Sequence, residues 1–284
     1  MPIPVAPGHL FSQHSLNTYL RCPRRYWLKY VERQPWPARE GAEGEGASRD
    51  KEHLRRGAVF HDWLVRRQLG VPMESVVAAC GDPELQRWWY AFEALDLAAL
   101  PCDIREAELP VVVPVGDYAL YARFDLLAVD RGGRAVIVDW KTLPVMPSLR
   151  TLRERVQTRV YLFALVSAGE VLAGERIAAE DSAMWYWFVE NPHELVPVSY
   201  DSGTFAADRD WIVGLVDEIA GASRASCLRT DDARQCRRCN YRTLCHREGT
   251  SDEAVPENAH GLQSWLDEDL ADEIDIVNAP ALEY

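Results

Sequence analysis

Asp139-Trp140-Lys141 sets an acid and a base at the end of an apolar, β-branched run, Ala135-Val-Ile-Val. Strand period places Asp139 and Lys141 on one face and Trp140 on the other. Charges at the end of a hydrophobic strand are costly to desolvate unless something uses them. A divalent metal and a phosphate would use both: Asp139 would hold the metal, and Lys141 would stabilise an attacking water or the phosphate's developing charge. Upstream, Tyr121, Arg123 and Asp125 share one face of a second run. If that run pairs with the Asp139 strand, the two carboxylates converge, and they repel unless a cation lies between them. Oxygen ligands suit Mg²⁺ or Mn²⁺. His61, one helical turn after Gly57, could add a nitrogen and tilt the choice towards Mn²⁺. Gln157 and Tyr161 stand at i and i+4 and so share a helix face.

The cysteines give the most specific pattern. Cys236, Cys239 and Cys245 form C-x₂-C-x₅-C. Three thiols in ten residues call for a metal or a cluster in a reducing compartment. Cys22, beside Pro23, is the best candidate for a fourth ligand. A structural zinc usually shows two C-x₂-C knuckles, and the single knuckle here favours a cluster. Cys80, Cys102 and Cys227 lack such spacing and read as plain or buried thiols.

The elements that must position these groups follow from periodicity. Residues 12–31 read as a helix capped at Ser12 or Ser15, with a break or kink at Pro23. Residues 35–48 read as a loop rich in Gly, Ala and Glu. Residues 50–69 and 83–100 read as helices. Glu108–Val115 and Tyr118–Val129 read as a hairpin turning at Gly116-Asp117. Residues 148–168 read as a helix, Ala183–Glu190 as a strand paired with Val196–Tyr200, and 205–226 as a helix. The order predicts a mixed α/β core with extra helices upstream. The expected division is an N-terminal helical region over 1–103, a core over 104–204, a helix and cysteine segment over 205–249, and an acidic tail over 250–284.

The chain has 284 residues, enough for one large core, and 48% hydrophobic and 26% charged residues, ordinary for a globular protein. No signal peptide or membrane-spanning run is apparent, so the expected location is cytoplasmic and no membrane partner is expected. The net charge is −13. No Lys or Arg follows Arg247, whereas ten acidic residues fall between Asp252 and Glu283. The body is therefore near neutral and the tail acidic, which neither argues for DNA nor excludes a local basic groove. The tail reads as a solvated segment, with residues 260–275 able to form a short amphipathic helix. The sharper alternative is a DNA mimic in the active groove.

Taken in order, these pieces resemble the RecB-like nucleases of the PD-(D/E)XK superfamily. The likeness is to their iron–sulfur branch, which includes CRISPR-associated RecB-like exonucleases and the AddB nuclease domain. Ser15-Leu-x-x-Tyr19-x-x-Cys22-Pro23-x-x-Tyr26 resembles the N-terminal cysteine helix. Gly57-x-x-x-His61 resembles the histidine motif, Ala122-Arg-Phe-Asp125 the aspartate strand, and Asp139-Trp140-Lys141 the central D-x-K. Gln157-x-x-x-Tyr161 resembles the Q-x-x-x-Y helix. The family often has Gly where Ala122 stands, and its early acidic position falls on Glu108, with Glu106 an alternative.

The resemblance implies a restriction-endonuclease-like mixed β-sheet flanked by helices. It implies a metal on His61, Asp125, Asp139 and the Trp140 carbonyl, with Lys141 orienting water and Gln157 and Tyr161 positioning DNA or supporting Lys141. It also implies a structural [4Fe–4S] cluster on Cys22, Cys236, Cys239 and Cys245, with Arg237, Arg238 and Arg242 near phosphates. The implied activity is metal-dependent cleavage of DNA, from single-stranded ends, in repair, recombination or CRISPR adaptation. The implied partners are DNA and a helicase or a CRISPR integration protein. The competing readings are a non-catalytic DNA-binding module of a larger complex and a zinc-stapled interaction protein.

Overall fold

The computed structural model describes residues 5–35, 45–143 and 145–245, with the backbone alone at 45–51, 237, 238 and 243. The acidic tail, its 260–275 helix and most of the 35–48 loop lie outside the described residues.

A six-stranded mixed sheet organises the chain. Its strands are β1 (Leu10–Ser12), β2 (Ile104–Val115), β3 (Tyr118–Val129), β4 (Ala135–Lys141), β5 (Ser182–Phe188) and β6 (Asn191–Ser199). The helices are α1 (Gln13–Arg21), α2 (Pro23–Tyr26), α3 (Glu45–Gln68), α4 (Glu74–Ala79), α5 (Pro83–Glu93), α6 (Leu149–Glu154), α7 (Val156–Ser167), α8 (Gly169–Ala173), α9 (Ser202–Ala220) and α10 (Ala233–Arg238). This is the restriction-endonuclease-like arrangement expected from the sequence.

β2 pairs antiparallel with β3 along its length, from Ile104 opposite Val129 to Val115 opposite Tyr118. β1 and β4 therefore share the other edge of β3. β1 lies parallel to it at Ala119–Tyr121, and β4 antiparallel to it at Leu126–Val129. The two strands run towards each other and leave the Ala122–Asp125 stretch of that edge open. Strand ends that meet at such a gap form a crevice, the usual place for a site in an open α/β sheet. β4 continues parallel to β5, with Asp139 opposite Tyr186.

Two cores sandwich the sheet. α7 packs on one face; its residues Gln157 to Leu165 are buried but for Arg159, so its sequence is apolar nearly all round rather than striped. α3 and α5 cover the other face. There Phe60, Trp88, Phe92, Trp140 and Trp187 pack edge to face or stacked, with ring centroids 5.4–6.1 Å apart. Truncating one such ring costs about 3–5 kcal/mol, so Trp140 fixes the end of β4 while its neighbours Asp139 and Lys141 face the opposite side.

Five helices differ from the expected boundaries, and α3 begins at Glu45, inside the expected 35–48 loop, and ends at Gln68. The 12–31 helix breaks at Cys22, which is extended (φ −161°, ψ 99°) because Pro23 disfavours helix at the preceding residue, and it ends in a π-helical turn over Trp27–Val31. Ser12 caps α1 in a reciprocal capping box with Ser15. The 83–100 helix stops at Glu93, and the Asp96 carboxylate then accepts the Ala98 amide at 2.9 Å in a local turn. The 148–168 helix is interrupted by extended Arg155, where the Thr158 hydroxyl takes the Leu152 carbonyl at 2.5 Å. α9 begins at Ser202 because Asp201 caps Thr204 at 2.7 Å, and it ends at Ala220 before Gly221. β1 and α4 are elements that periodicity did not reveal. β6 starts earlier than expected, at Asn191.

Candidate active site

β4 leaves β3 after Val138, and the Trp140 amide then has no strand partner on β3. The Asp125 carboxylate accepts it through Oδ2 at 2.9 Å. Asp125 therefore both closes the fork and stands at its mouth. Lys141 is buried with only 9% of its surface exposed, and its Nζ lies 2.9 Å from Asp139 Oδ2. Gln157, near the start of α7, joins the pair. Its Oε1 accepts from Lys141 Nζ at 3.0 Å, and its Nε2 donates to Asp139 Oδ1 at 2.8 Å. The Arg155 break aims Gln157 inward, and the Thr158–Tyr186 hydroxyl contact at 2.7 Å anchors the same turn. Tyr161, one turn on, packs its ring against Phe124 in the core, 5.4 Å between centroids.

α3 delivers His61 from the other side. His61 Nε2 lies 3.0 Å from the Trp140 carbonyl oxygen, and Nδ1 lies 3.7 Å from Asp125 Oδ2. α3 comes this close because Gly57 has no side chain: a Cβ there would meet Thr142 Oγ1 at 3.1 Å.

Glu108 lies opposite Asp125 across the hairpin. Its φ of +49° is in the left-handed region, which costs energy for a side chain of this kind. It pairs with Arg123 at 3.1 Å. Ligand atoms of His61, Glu108 and Asp125 all lie within 4.8 Å of one another. Of the two acidic residues considered on this strand, Glu108 is the one brought to the cluster. Arg123 has no role assigned from the sequence, although its strand period with Asp125 marks it.

These donors fit a hard divalent cation. They are carboxylate oxygens, a backbone carbonyl and an imidazole nitrogen, and His61 Nε2 and the Trp140 oxygen lie within hydrogen-bond distance at 3.0 Å. Asp139 Oδ2 is fully buried and makes no hydrogen bond of ordinary geometry, its near contact being the Lys141 ion pair. Burial, with Asp139 and Glu108 nearby, pushes the Asp125 carboxyl up to about 7, against the pull of His61 and Lys141. A carboxylate held in this state is relieved by a cation.

The four cysteines of the expected set, Cys22, Cys236, Cys239 and Cys245, line one recess together with Arg21, Arg25, Arg229 and Arg242. The segment around Cys22 and the 228–245 segment meet here. The Arg24 amide donates to the Leu228 carbonyl at 3.2 Å, Arg229 to the Cys245 carbonyl at 2.6 Å, and Tyr241 to the Gln34 carbonyl at 3.2 Å across 207 positions. Burial pushes the Cys239 and Cys245 thiols up, so a bound metal would be needed to hold them as thiolates. Buried Cys227 is outside the lining. The side chains of Arg237 and Arg238 are outside what the structure describes.

No helix among the described residues is long and apolar enough to cross a membrane. A search of curated proteins finds no match. Among solved structures, one titled "Crystal structure of SSO0001" is 16% identical, over 87% of this chain and 90% of that one, with a TM-score of 0.42. The family model for the PD-(D/E)XK nuclease superfamily matches residues 10–246, from the first strand to just past the last cysteine. The chain belongs to the PD-(D/E)XK nuclease superfamily.

Proposed function

We propose that this nuclease is of the RecB-like type with a four-cysteine [4Fe–4S] cluster. It degrades single-stranded DNA from an end, in repair, recombination or CRISPR adaptation. The observation that carries this reading is the cluster of His61, Glu108 and Asp125 beside the Trp140 carbonyl at the forked end of β4, with the Asp139–Lys141 pair on the adjoining residues of that strand. A bound Mg²⁺ or Mn²⁺ supplies Lewis-acid activation of water and of the phosphate. His61, Asp125, Asp139 and the Trp140 carbonyl hold it, with Glu108 on the open side. Lys141 orients the water and meets the charge that develops on phosphate, and Gln157 keeps the ammonium aimed there. Tyr161 supports α7 from the core.

In this reading residues 104–204 are the nuclease core, and the regions before and after supply His61 and the four cysteines. β1 is the exception, since it joins the sheet from the N-terminal region. A cluster suits the recess better than zinc. A structural zinc usually shows two C-x₂-C knuckles, and Cys236-Arg-Arg-Cys239 is a single one. A helicase or a CRISPR integration protein would supply the strand, acting beside the nuclease.

Linear and covalently closed single-stranded DNA distinguish the mode of cutting. With Mn²⁺, the linear form is degraded and the circle survives; equal loss of the circle makes the protein an endonuclease.

Two properties of the metal site follow. Mn²⁺ affinity, read by calorimetry, rises as pH climbs through about 7, because the cation must displace the Asp125 proton. Affinity that is flat from pH 6 to 8 would remove Asp125 from the ligands. Gly57→Ala pushes α3 off Thr142 and carries His61 with it, weakening Mn²⁺ binding by about tenfold. Adding Thr142→Ala restores it; no rescue means that the close approach does not set the position of His61.

A further inference from the structure

The segment between β4 and α7 leaves the site at Lys141 and returns to it at Gln157, whose Oε1 accepts from Lys141 Nζ at 3.0 Å. Met146 keeps this excursion beside the end of β4: its sulfur contacts Asn191, which pairs with Phe188, the β5 residue opposite Lys141. The excursion presents apolar side chains. Val145, Met146 and Leu149 are 47%, 41% and 40% exposed, in a protein whose other large apolar residues mostly pack into two cores. The Asn191 amide donates to the Met146 sulfur at 3.6 Å. Leu152, in the same helix, is fully buried and anchors α6, whose first residue is Leu149.

The same stretch is basic. Between residues 145 and 159 it carries Arg150, Arg153, Arg155 and Arg159 against a single acid, Glu154, in a chain of net charge −13. Arg159 is committed to Asp208 and to the face of Trp211. Arg153 is exposed, and Arg150 is 86% exposed and pairs with exposed Glu154 at 2.9 Å. A surface pair of that kind is weak and exchanges readily for a phosphate.

Apolar side chains beside exposed guanidinium groups, next to a phosphodiester site, match one occupant by chemistry: a DNA strand whose bases are unpaired. Unstacked bases lie on apolar surface while cations track the backbone. In a duplex the base faces are already stacked and Val145, Met146 and Leu149 have nothing to cover. We propose that Val145, Met146 and Leu149, flanked by Arg150 and Arg153, form a lip that holds the unpaired bases next to the scissile phosphate and so selects single strands. This rests on the nuclease reading and extends it to the residues that set strand preference.

The test uses the full protein with Mn²⁺ on three substrates: an oligothymidylate, a blunt duplex of equal length, and thymidine 5′-monophosphate p-nitrophenyl ester, a phosphodiester with no neighbouring base. Val145→Ser/Met146→Ser/Leu149→Ser is expected to raise KM for the single strand about tenfold, about what loss of one stacked base costs. kcat, the duplex and the ester are expected to change by less than about twofold on the same scale. Arg150→Gln/Arg153→Gln is expected to raise KM for the strand and to flatten its dependence on salt. If the triple variant also loses the ester, Met146→Ser alone decides by the same single-strand-to-duplex ratio. An unchanged ratio, or a wild-type protein that prefers duplex, overturns the lip and leaves the nuclease standing. A wild-type protein that cuts neither DNA nor ester overturns the nuclease reading itself.

Discussion

Asp125→Asn is expected to abolish DNA cutting, by about 10³-fold or more, and at the same time to make the metal-free protein more stable at pH 8. Both effects have one cause. Asp125 is held among Asp139, Glu108 and buried surface, and its carboxyl is pushed from 3.8 to about 7. Between those values the native state keeps a proton that the unfolded chain has released. Stability therefore falls as pH rises through this window and is lowest, for this group, above pH 7. Asparagine removes the charge and keeps an oxygen to accept the Trp140 amide. In EDTA at pH 8 the variant's Tm is expected to rise by about 2–4 °C, the shift that about 1 kcal/mol gives in a domain of this size. At pH 4 the difference disappears, and Mn²⁺ reverses it by stabilising the wild type alone. A variant that is inactive and less stable at pH 8 would mean that Asp125 serves the fold through its charge.

Cys22→Ser has the second large expected effect. Cys22 lies near the start of the chain, in the same recess as three cysteines near the end of the described residues. A cluster across them closes a loop of more than 200 residues. By chain entropy such a closure is worth about 5 kcal/mol, which in a domain of this size corresponds to a fall in Tm of about 10 °C or more. Protein purified without oxygen should be brown with iron and sulfide bound, and Cys22→Ser should lose the colour and the iron. Cys80→Ser and Cys102→Ser, outside the recess, should keep both. Full iron and an unchanged Tm in Cys22→Ser would take this residue out of the cluster, and stoichiometric zinc in the wild type would replace the cluster altogether.

The parts of the site legible in the sequence are those that depend on strand period. Asp139 and Lys141 share a face because side chains alternate, and Asp125 reaches their strand because the tight turn at Asp130–Gly133 sets β4 against β3. The cysteine recess was legible through spacing, although the seating of Cys22 in it depends on contacts such as Tyr241 to Gln34, which no local pattern encodes. Gln157 shows the limit. Its position on a helix face was readable, but its bridge between Lys141 and Asp139 depends on where the chain breaks, and Arg155 carries no Gly or Pro to mark that break. Glu108 is preferred from the sequence, with Glu106 as the alternative, and what brings Glu108 to the cluster is its register against Asp125. β1 escaped notice because three residues are too few for a period to show, yet they make the fork at which the site sits.

The most direct test is one assay: release of nucleotides from linear single-stranded DNA in Mn²⁺ by wild type and Lys141→Ala, purified side by side. Lys141 is buried against Asp139 and Gln157, so its loss leaves the metal donors in place and removes the ammonium. The expected result is cutting by the wild type and a fall of about 10²–10³-fold in the variant, with Mn²⁺ binding retained. Wild-type protein that binds DNA and Mn²⁺ but leaves every strand whole, or a variant that cuts as fast as the wild type, would contradict the assignment of this site as the place of hydrolysis.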